Sequence, residues 1–174
     1  MNIVAFAASN SRNSINGKLI RYVTGLLNDH AVDILDLNDF EMPLYSIDRE
    51  NADGVPDLAN LFLEKIGNSD ALIISYAEHN GTYTAAFKNI FDWCSRINPK
   101  VFQNKPVVIF STSPGRRGGA SVLSQAKNSA HHFSADVLAD LSVPSFYDCY
   151  DEDQQSFTDP DVIENIKQAL GSIL

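Results

Sequence analysis

Five short apolar runs recur along this chain without the period-two alternation of a half-solvated strand. They are Ile3–Ala8, Val32–Leu37, Ala71–Tyr76, Pro106–Ser111 and, less regularly, Val137–Val143. A strand that reads apolar on both sides must be covered on both sides, the condition met in parallel sheets. Between the runs, apolar residues fall three and four apart, as on amphipathic helices. Leu19, Ile20, Val23, Leu26 and Leu27 form one stripe, and Leu58, Leu61, Phe62 and Ile66 a second. Phe87, Ile90, Phe91, Cys94 and Ile97 form a third, with Trp93 off the stripe, a position for peripheral packing or for an interface. Leu123, Ala126, Ala130 and Phe133 make a weaker fourth, and Val162, Ile163, Ile166, Ala169 and Leu170 a fifth.

Strands alternating with helices imply right-handed crossovers and a doubly wound α/β sheet with helices on both faces. The five-strand solution is the flavodoxin-like parallel order 2-1-3-4-5. With 174 residues, 44% of them hydrophobic, the chain reads as a single domain over residues 1–174. In this architecture ligands bind beyond the carboxyl ends of the strands, so the loops after the first, third and fourth runs become the candidate site. The long connection Asn38–Pro56 shows no clear period and reads as an ordered surface excursion that connects, or shapes a partner or substrate surface. A net charge of −9 argues against nucleic acid and anionic membranes as partners. Cys94 and Cys149 match no metal or redox spacing and fit a reducing cytoplasm. No basic leader and no apolar run of membrane length is present, so the expected location is cytoplasmic. His131 and His132 fall mid-helix without a ligand partner at metal spacing, and no metal site is expected.

The first loop, Ala8–Asn16, concentrates Ser9, Ser11, Arg12, Ser14 and Asn16 where a helix begins. Helix N-termini carry unpaired N–H groups and partial positive charge, which suits a phosphate. An ordinary N-cap accounts for one such residue, but not for all of these donors. Neither G-x-G-x-x-G nor G-x-x-x-x-G-K-[ST] occurs, which disfavours dinucleotide-binding and P-loop readings. The second loop, Tyr76–Tyr83, offers backbone groups around Ala77, Glu78, His79, Asn80 and Gly81 to a planar heteroaromatic edge. Taken alone, Glu78 and His79 are equally readable as solvated surface groups. The third loop, Ser111–Gly119, turns sharply at Ser113, Pro114, Gly115, Gly118 and Gly119 and aims amides outward, as either a surface turn or a ligand cradle. Arg116 and Arg117 stand there against an acidic background, free for a donor's phosphate or for solvent.

Together the three loops resemble the NADPH-dependent FMN reductase family of quinone, azo-dye and chromate reductases. Ser9-x-Ser11-x-x-Ser14-x-Asn16 is similar to its phosphate loop, with Arg12 near the family's arginine and Ser14 one residue closer than in the commonest form. Ala77-Glu78-His79-Asn80-Gly81 followed by Phe87-Lys88-Asn89-Ile90-Phe91-Asp92-Trp93 resembles the family's Pro-Glu-Tyr-Asn segment and its Leu-Lys-Asn-x-x-Asp-Trp helix. Ala77 stands for proline and His79 for tyrosine. The resemblance implies that Ser9, Ser11, Arg12, Ser14 and Asn16 hold the phosphate of FMN. It also implies that Glu78, His79 and Asn80 lie along the flavin and that Ser113, Gly115 and Gly118 approach its ring. It implies two-step hydride transfer, with NADPH or NADH as donor, flavin or a quinone as acceptor, and a homodimer or homotetramer. The rival readings are an electron-carrier module of flavodoxin type and a flavin-free interaction domain on the same scaffold.

Overall fold

The computed structural model describes residues 1–174. Strands β1 (Asn2–Ala8), β2 (Ala31–Leu35), β3 (Ala71–Tyr76), β4 (Lys105–Thr112) and β5 (Ala135–Val143) form one parallel sheet in the order β2-β1-β3-β4-β5. Helices α1 (Ile15–Gly25), α2 (Ile47–Asp53), α3 (Asp57–Gly67), α4 (Ala85–Ile97), α5 (Ala120–Ala130), α6 (Phe146–Cys149) and α7 (Pro160–Gly171) supply the connections, and β6 (Tyr150–Asp151) and β7 (Ser156–Phe157) form a short antiparallel hairpin. The five apolar runs are the five strands of the sheet. The five stripes are α1, α3, α4, α5 and α7.

Alternate residues of each central strand enter opposite layers of the core. Val4, Phe6, Leu72, Ile74, Val107 and Ile109 pack against α3, α4 and α5, while Ile3, Ala5, Ala71, Ile73, Val108 and Phe110 pack against α1 and α7. All six residues of β3 are buried, as its continuous apolar run requires. Strand β5 lies on the sheet edge and alternates in exposure along most of its length. Its register against β4 shifts between Val107 and Val108, the physical source of its irregular apolar pattern. Local capping fixes the helix starts. Ser14, Ser46 and Thr84 accept backbone N–H groups at the N-termini of α1, α2 and α4, and Asp159 caps α7 ahead of Pro160. No helix is long and apolar enough to cross a membrane.

The structure departs from the sequence reading in the long connection. The connection after β2 holds a 3-10 turn at Leu37–Phe40 and the helix α2. No residue of α2 is buried, so it leaves no apolar period to read. Trp93 is no interface residue: it is 1% exposed because this connection lies over it. Its indole N–H donates to the carbonyl of Pro43 at 2.7 Å, and its ring meets Tyr45 edge-on at a centroid distance of 5.0 Å. Asn89, one turn earlier, donates to the carbonyls of Met42 and Pro43 and accepts from the amide of Tyr45. His131 and His132 sit in a 3-10 turn at the end of α5 rather than within the helix.

Trp93 therefore pegs the connection to α4. Trp93→Phe should lower stability by about 1 kcal/mol, the loss of one hydrogen bond, whereas Trp93→Ala should cost roughly 3–5 kcal/mol in denaturant unfolding. The cysteines give a second check. Burial pushes the Cys94 thiol up to about 12, and burial, followed by Asp159 and Asp148, raises that of Cys149. Both should resist a thiol reagent at pH 8 in the folded protein and react after unfolding.

Candidate functional site

The three loops singled out from the sequence meet at the carboxyl ends of β1, β3 and β4, where buried side-chain hydrogen bonds tie them together. The Asn16 side chain is 3% exposed and bridges two strands. Its amide group donates to the carbonyl of Thr112 at 3.1 Å, and its oxygen accepts from Ser75 Oγ at 2.7 Å and from the amide of Thr112 at 3.1 Å. Thr112 Oγ1 donates onward to the carbonyl of Val143 at the end of β5. Thr84 Oγ1 donates to the carbonyl of Ala8 at the end of β1 and caps α4 with the same oxygen. The Asn16 side chain, expected at the phosphate, thus spends most of its hydrogen-bonding capacity on strand ends and keeps one amide hydrogen unpaired. Its oxygen and one amide hydrogen are committed inside the protein.

The rest of the first loop remains open to a ligand. The amides of Asn10, Arg12 and Asn13 donate to no protein acceptor. Ser14 Oγ accepts from the amide of Gly17 at 3.3 Å, and Ser9 Oγ accepts from the amide of Ser11 at 3.2 Å. A hydroxyl that accepts in this way keeps its hydrogen to donate, so capping and phosphate binding are compatible in Ser14. Ser9, Ser11, Arg12, Ser14 and Gly17 line a cleft of about 130 Å³. Arg21 lines it too. Its guanidinium lies 3.6 Å from where a side chain on Gly17 would begin, so it leans back over the first turn of α1. Arg21 was not anticipated, although it stands seven residues after Ser14, two turns along the same helix face. Asp36 also lines the cleft and accepts from the backbone and side-chain nitrogens of Asn38.

The second loop is a tight hairpin turn. The amides and carbonyls of His79 and Thr82 bond reciprocally at 3.0 and 3.2 Å, and Asn80 and Gly81 take φ of 52° and 80°. Two positive φ values in a two-residue turn are the type I′ geometry for which Asn-Gly is the preferred sequence. That dipeptide was the available signal for the hairpin, and it explains Gly81 by conformation rather than by close approach. The amide of His79 is consumed, while those of Asn80 and Gly81 stay unpaired at the exposed tip. Ala77 is buried where β3 ends, and the His79 side chain is exposed. Glu78 turns inward and accepts from the amide of Val122 at 3.0 Å. It thus supplies an acceptor at the N-terminus of α5, whose own N-cap residue is Gly119 and makes no side-chain cap. Thr82 Oγ1 donates to Gln125 on the same helix.

The third loop is pinned against the end of β5. The carbonyl of Gly115 accepts from the amides of Gly118 and Ser145, and that of Ser113 accepts from the amide of Phe146. Ser113 Oγ also donates to the carbonyl of Gly115 at 3.2 Å. Gly118 does not face an open ligand space. At φ 55° its missing side chain would overlap Ser142 Oγ and come within 2.8 Å of the Pro144 nitrogen, so its conformation and its space are both set by β5. The amides of Gly115, Arg116 and Arg117 have no protein acceptor and belong to exposed residues of the turn, with the Arg117 side chain also held to Ser121. Arg116 is exposed.

Comparison with known proteins places this arrangement. Residues 1–148 match the family model described as NADPH-dependent FMN reductase. The chain is 27% identical over 176 residues to a 2-hydroxy-1,4-benzoquinone reductase of Burkholderia sp, covering 100% of this chain and 92% of that protein. It is 28% identical over 124 residues to a quinone reductase of Escherichia coli (strain K12), covering 69% of this chain and 64% of that enzyme. Among solved structures it is similar to FerB, a flavoenzyme NAD(P)H:(acceptor) oxidoreductase of Paracoccus denitrificans, with a TM-score of 0.77 at 23% identity over 99% of this chain and 94% of that one. The family match begins at β1 and takes in every loop that converges on the strand ends. The chain belongs to the NADPH-dependent FMN reductase family.

Proposed function

We propose that residues 1–174 act as one FMN-binding domain that draws electrons from NADH or NADPH and reduces flavin, quinone or similar small acceptors. The observation that carries this reading is the row of unpaired amides and hydroxyls at the start of α1. It is flanked by Arg12 and Arg21 and joined by buried hydrogen bonds to the amide-bearing turn after β4. The donor set suits both ends of FMN. A phosphate needs N–H, O–H and cationic partners, and the polar edge of the ring needs backbone donors.

Ser9, Ser11, Arg12 and Ser14 would hold the phosphate, with Arg21 adding charge, and the backbone of Ala77 to Gly81 and of Ser113 to Gly115 would face the ring. Bound FMN supplies the redox chemistry, accepting a hydride from the nicotinamide donor and passing electrons to the acceptor. This chain's residues bind, orient and set charge. The unpaired amides of Gly115, Arg116 and Arg117 favour negative charge beside them. Arg116 offers an exposed guanidinium to a phosphate of the donor. His79 presents its ring at the mouth, where it would bear on the choice of acceptor.

Assembly as a homodimer or homotetramer belongs to the same proposal, supported by Leu44 and Ile47, which expose apolar surface on the long connection. A reducing cytoplasm fits the two free buried thiols.

The purified protein with added FMN should show bound-flavin absorbance and bleach under anaerobic NADH or NADPH. Absence of FMN binding would leave the scaffold-only reading, and binding without turnover of quinone would leave the electron carrier. Arg12→Ala combined with Ser14→Ala should weaken FMN at roughly 1.5–3 kcal/mol per contact and leave riboflavin affinity unchanged, by fluorescence titration. His79→Tyr should keep FMN affinity and shift the relative rates across a panel of quinones and free flavins. An unchanged profile would make His79 a bystander.

A further inference from the structure

Asn16 lies at the start of α1 with its side chain turned away from the ligand loop. We infer that it is a positioning residue that couples the phosphate end of the flavin site to the ring end. The inference rests on the flavin reading above. The side chain is buried, and its three bonds reach residues 59 and 96 positions away in the sequence. Two of them clamp the amide and carbonyl of Thr112, the residue immediately before Ser113 and the turn after β4. The third fixes Asn16 to Ser75, the penultimate residue of β3 and two residues before Ala77. One side chain on the first helical turn therefore sets where the phosphate loop stands relative to both segments proposed to face the ring.

The chemistry of the amide is specific to this role. Its oxygen accepts two hydrogen bonds and its nitrogen donates one, which an aspartate cannot reproduce. A carboxylate would face the carbonyl of Thr112 with no hydrogen to give and would place a buried charge beneath a phosphate site. Other buried hydroxyls continue the link. Thr112 bonds to Val143, and Ser111 Oγ donates to the carbonyl of Gly118, so a shift at Asn16 is carried into the turn through Thr112 and its neighbours. A direct phosphate ligand and a coupling residue differ in a measurable way. Losing a ligand weakens FMN alone, because riboflavin has no phosphate. Losing the coupling misplaces the ring segments and weakens both.

The test is flavin titration, by fluorescence quenching, of wild type, Asn16→Ala, Ser75→Ala and the double variant, each with FMN and with riboflavin, together with visible circular dichroism of the bound flavin. Asn16→Ala should weaken FMN and riboflavin by a similar factor, about tenfold or more. It should also alter the dichroism of the bound ring. Ser75→Ala removes one buried hydroxyl whose partner is Asn16, leaves the backbone pairing of β3 in place, and is the variant that keeps the fold. It should weaken both flavins a few-fold, and the effect should vanish in the Asn16→Ala background. Loss of FMN affinity with riboflavin unchanged would make Asn16 a direct ligand and overturn the inference. A lowered melting temperature with both affinities and the dichroism intact would overturn it as well, leaving only a structural strut. A wild-type protein that binds neither flavin would overturn the flavin reading itself, whereas wild type that binds both, with Ser75→Ala and Asn16→Ala indifferent, overturns the inference alone.

Discussion

Strand β3 must be buried on both faces, and the rest of the molecule follows from that requirement. None of its six residues reaches solvent, and none has a charge to present there. Helices have to cover both sides, so each parallel strand must be left by a crossover and re-entered from the same end. All the strand-to-helix turns that surround β3 therefore gather at one end of the sheet. The fold concentrates its irregular backbone, with its unspent N–H groups, at the place where a charged, planar ligand can use them.

Gathering turns at one end creates a problem in the interior. Six of the seven buried polar side chains, Ser9, Asn16, Ser75, Thr84, Ser111 and Thr112, lie at or beside these strand ends. No buried side-chain nitrogen or oxygen lacks a partner. Such groups are costly unless satisfied, and satisfied groups of this kind specify one arrangement over its neighbours. Here they do so between β3, β4 and the first turn of α1 and between β1 and α4. The loops are held in register by direction and distance, while the two apolar layers hold the sheet.

Much of the fold was legible because its determinants are periodic. The apolar runs and the three-and-four stripes recovered every long element. What escaped notice was aperiodic. Helix α2 buries nothing, so no stripe betrays it. Trp93 sits off its stripe because the stripe describes the contact of α4 with the sheet, while the tryptophan faces the connection that comes back over the helix. In the candidate site, residue types were readable and directions were not. Asn16 and Glu78 both lie in segments picked out for ligand binding, yet both side chains turn inward, toward Thr112 and Val122. Composition cannot distinguish an amide aimed at a phosphate from one aimed at a strand end 96 residues away.

That separation has a consequence for how the protein comes into being. When β3 has been synthesised, Asn16 already has Ser75 within the chain, but Thr112 has yet to be added. Contacts between distant parts of a sequence form late and slowly, and parallel sheets depend on them. The Asn16 clamp at the head of α1 is consequently complete only after β4 has docked, so the loops it joins reach their final places after the first half of the sheet has formed. A nascent or truncated chain ending before β4 would display every serine of the loop after β1 and still lack the Thr112 half of the Asn16 clamp.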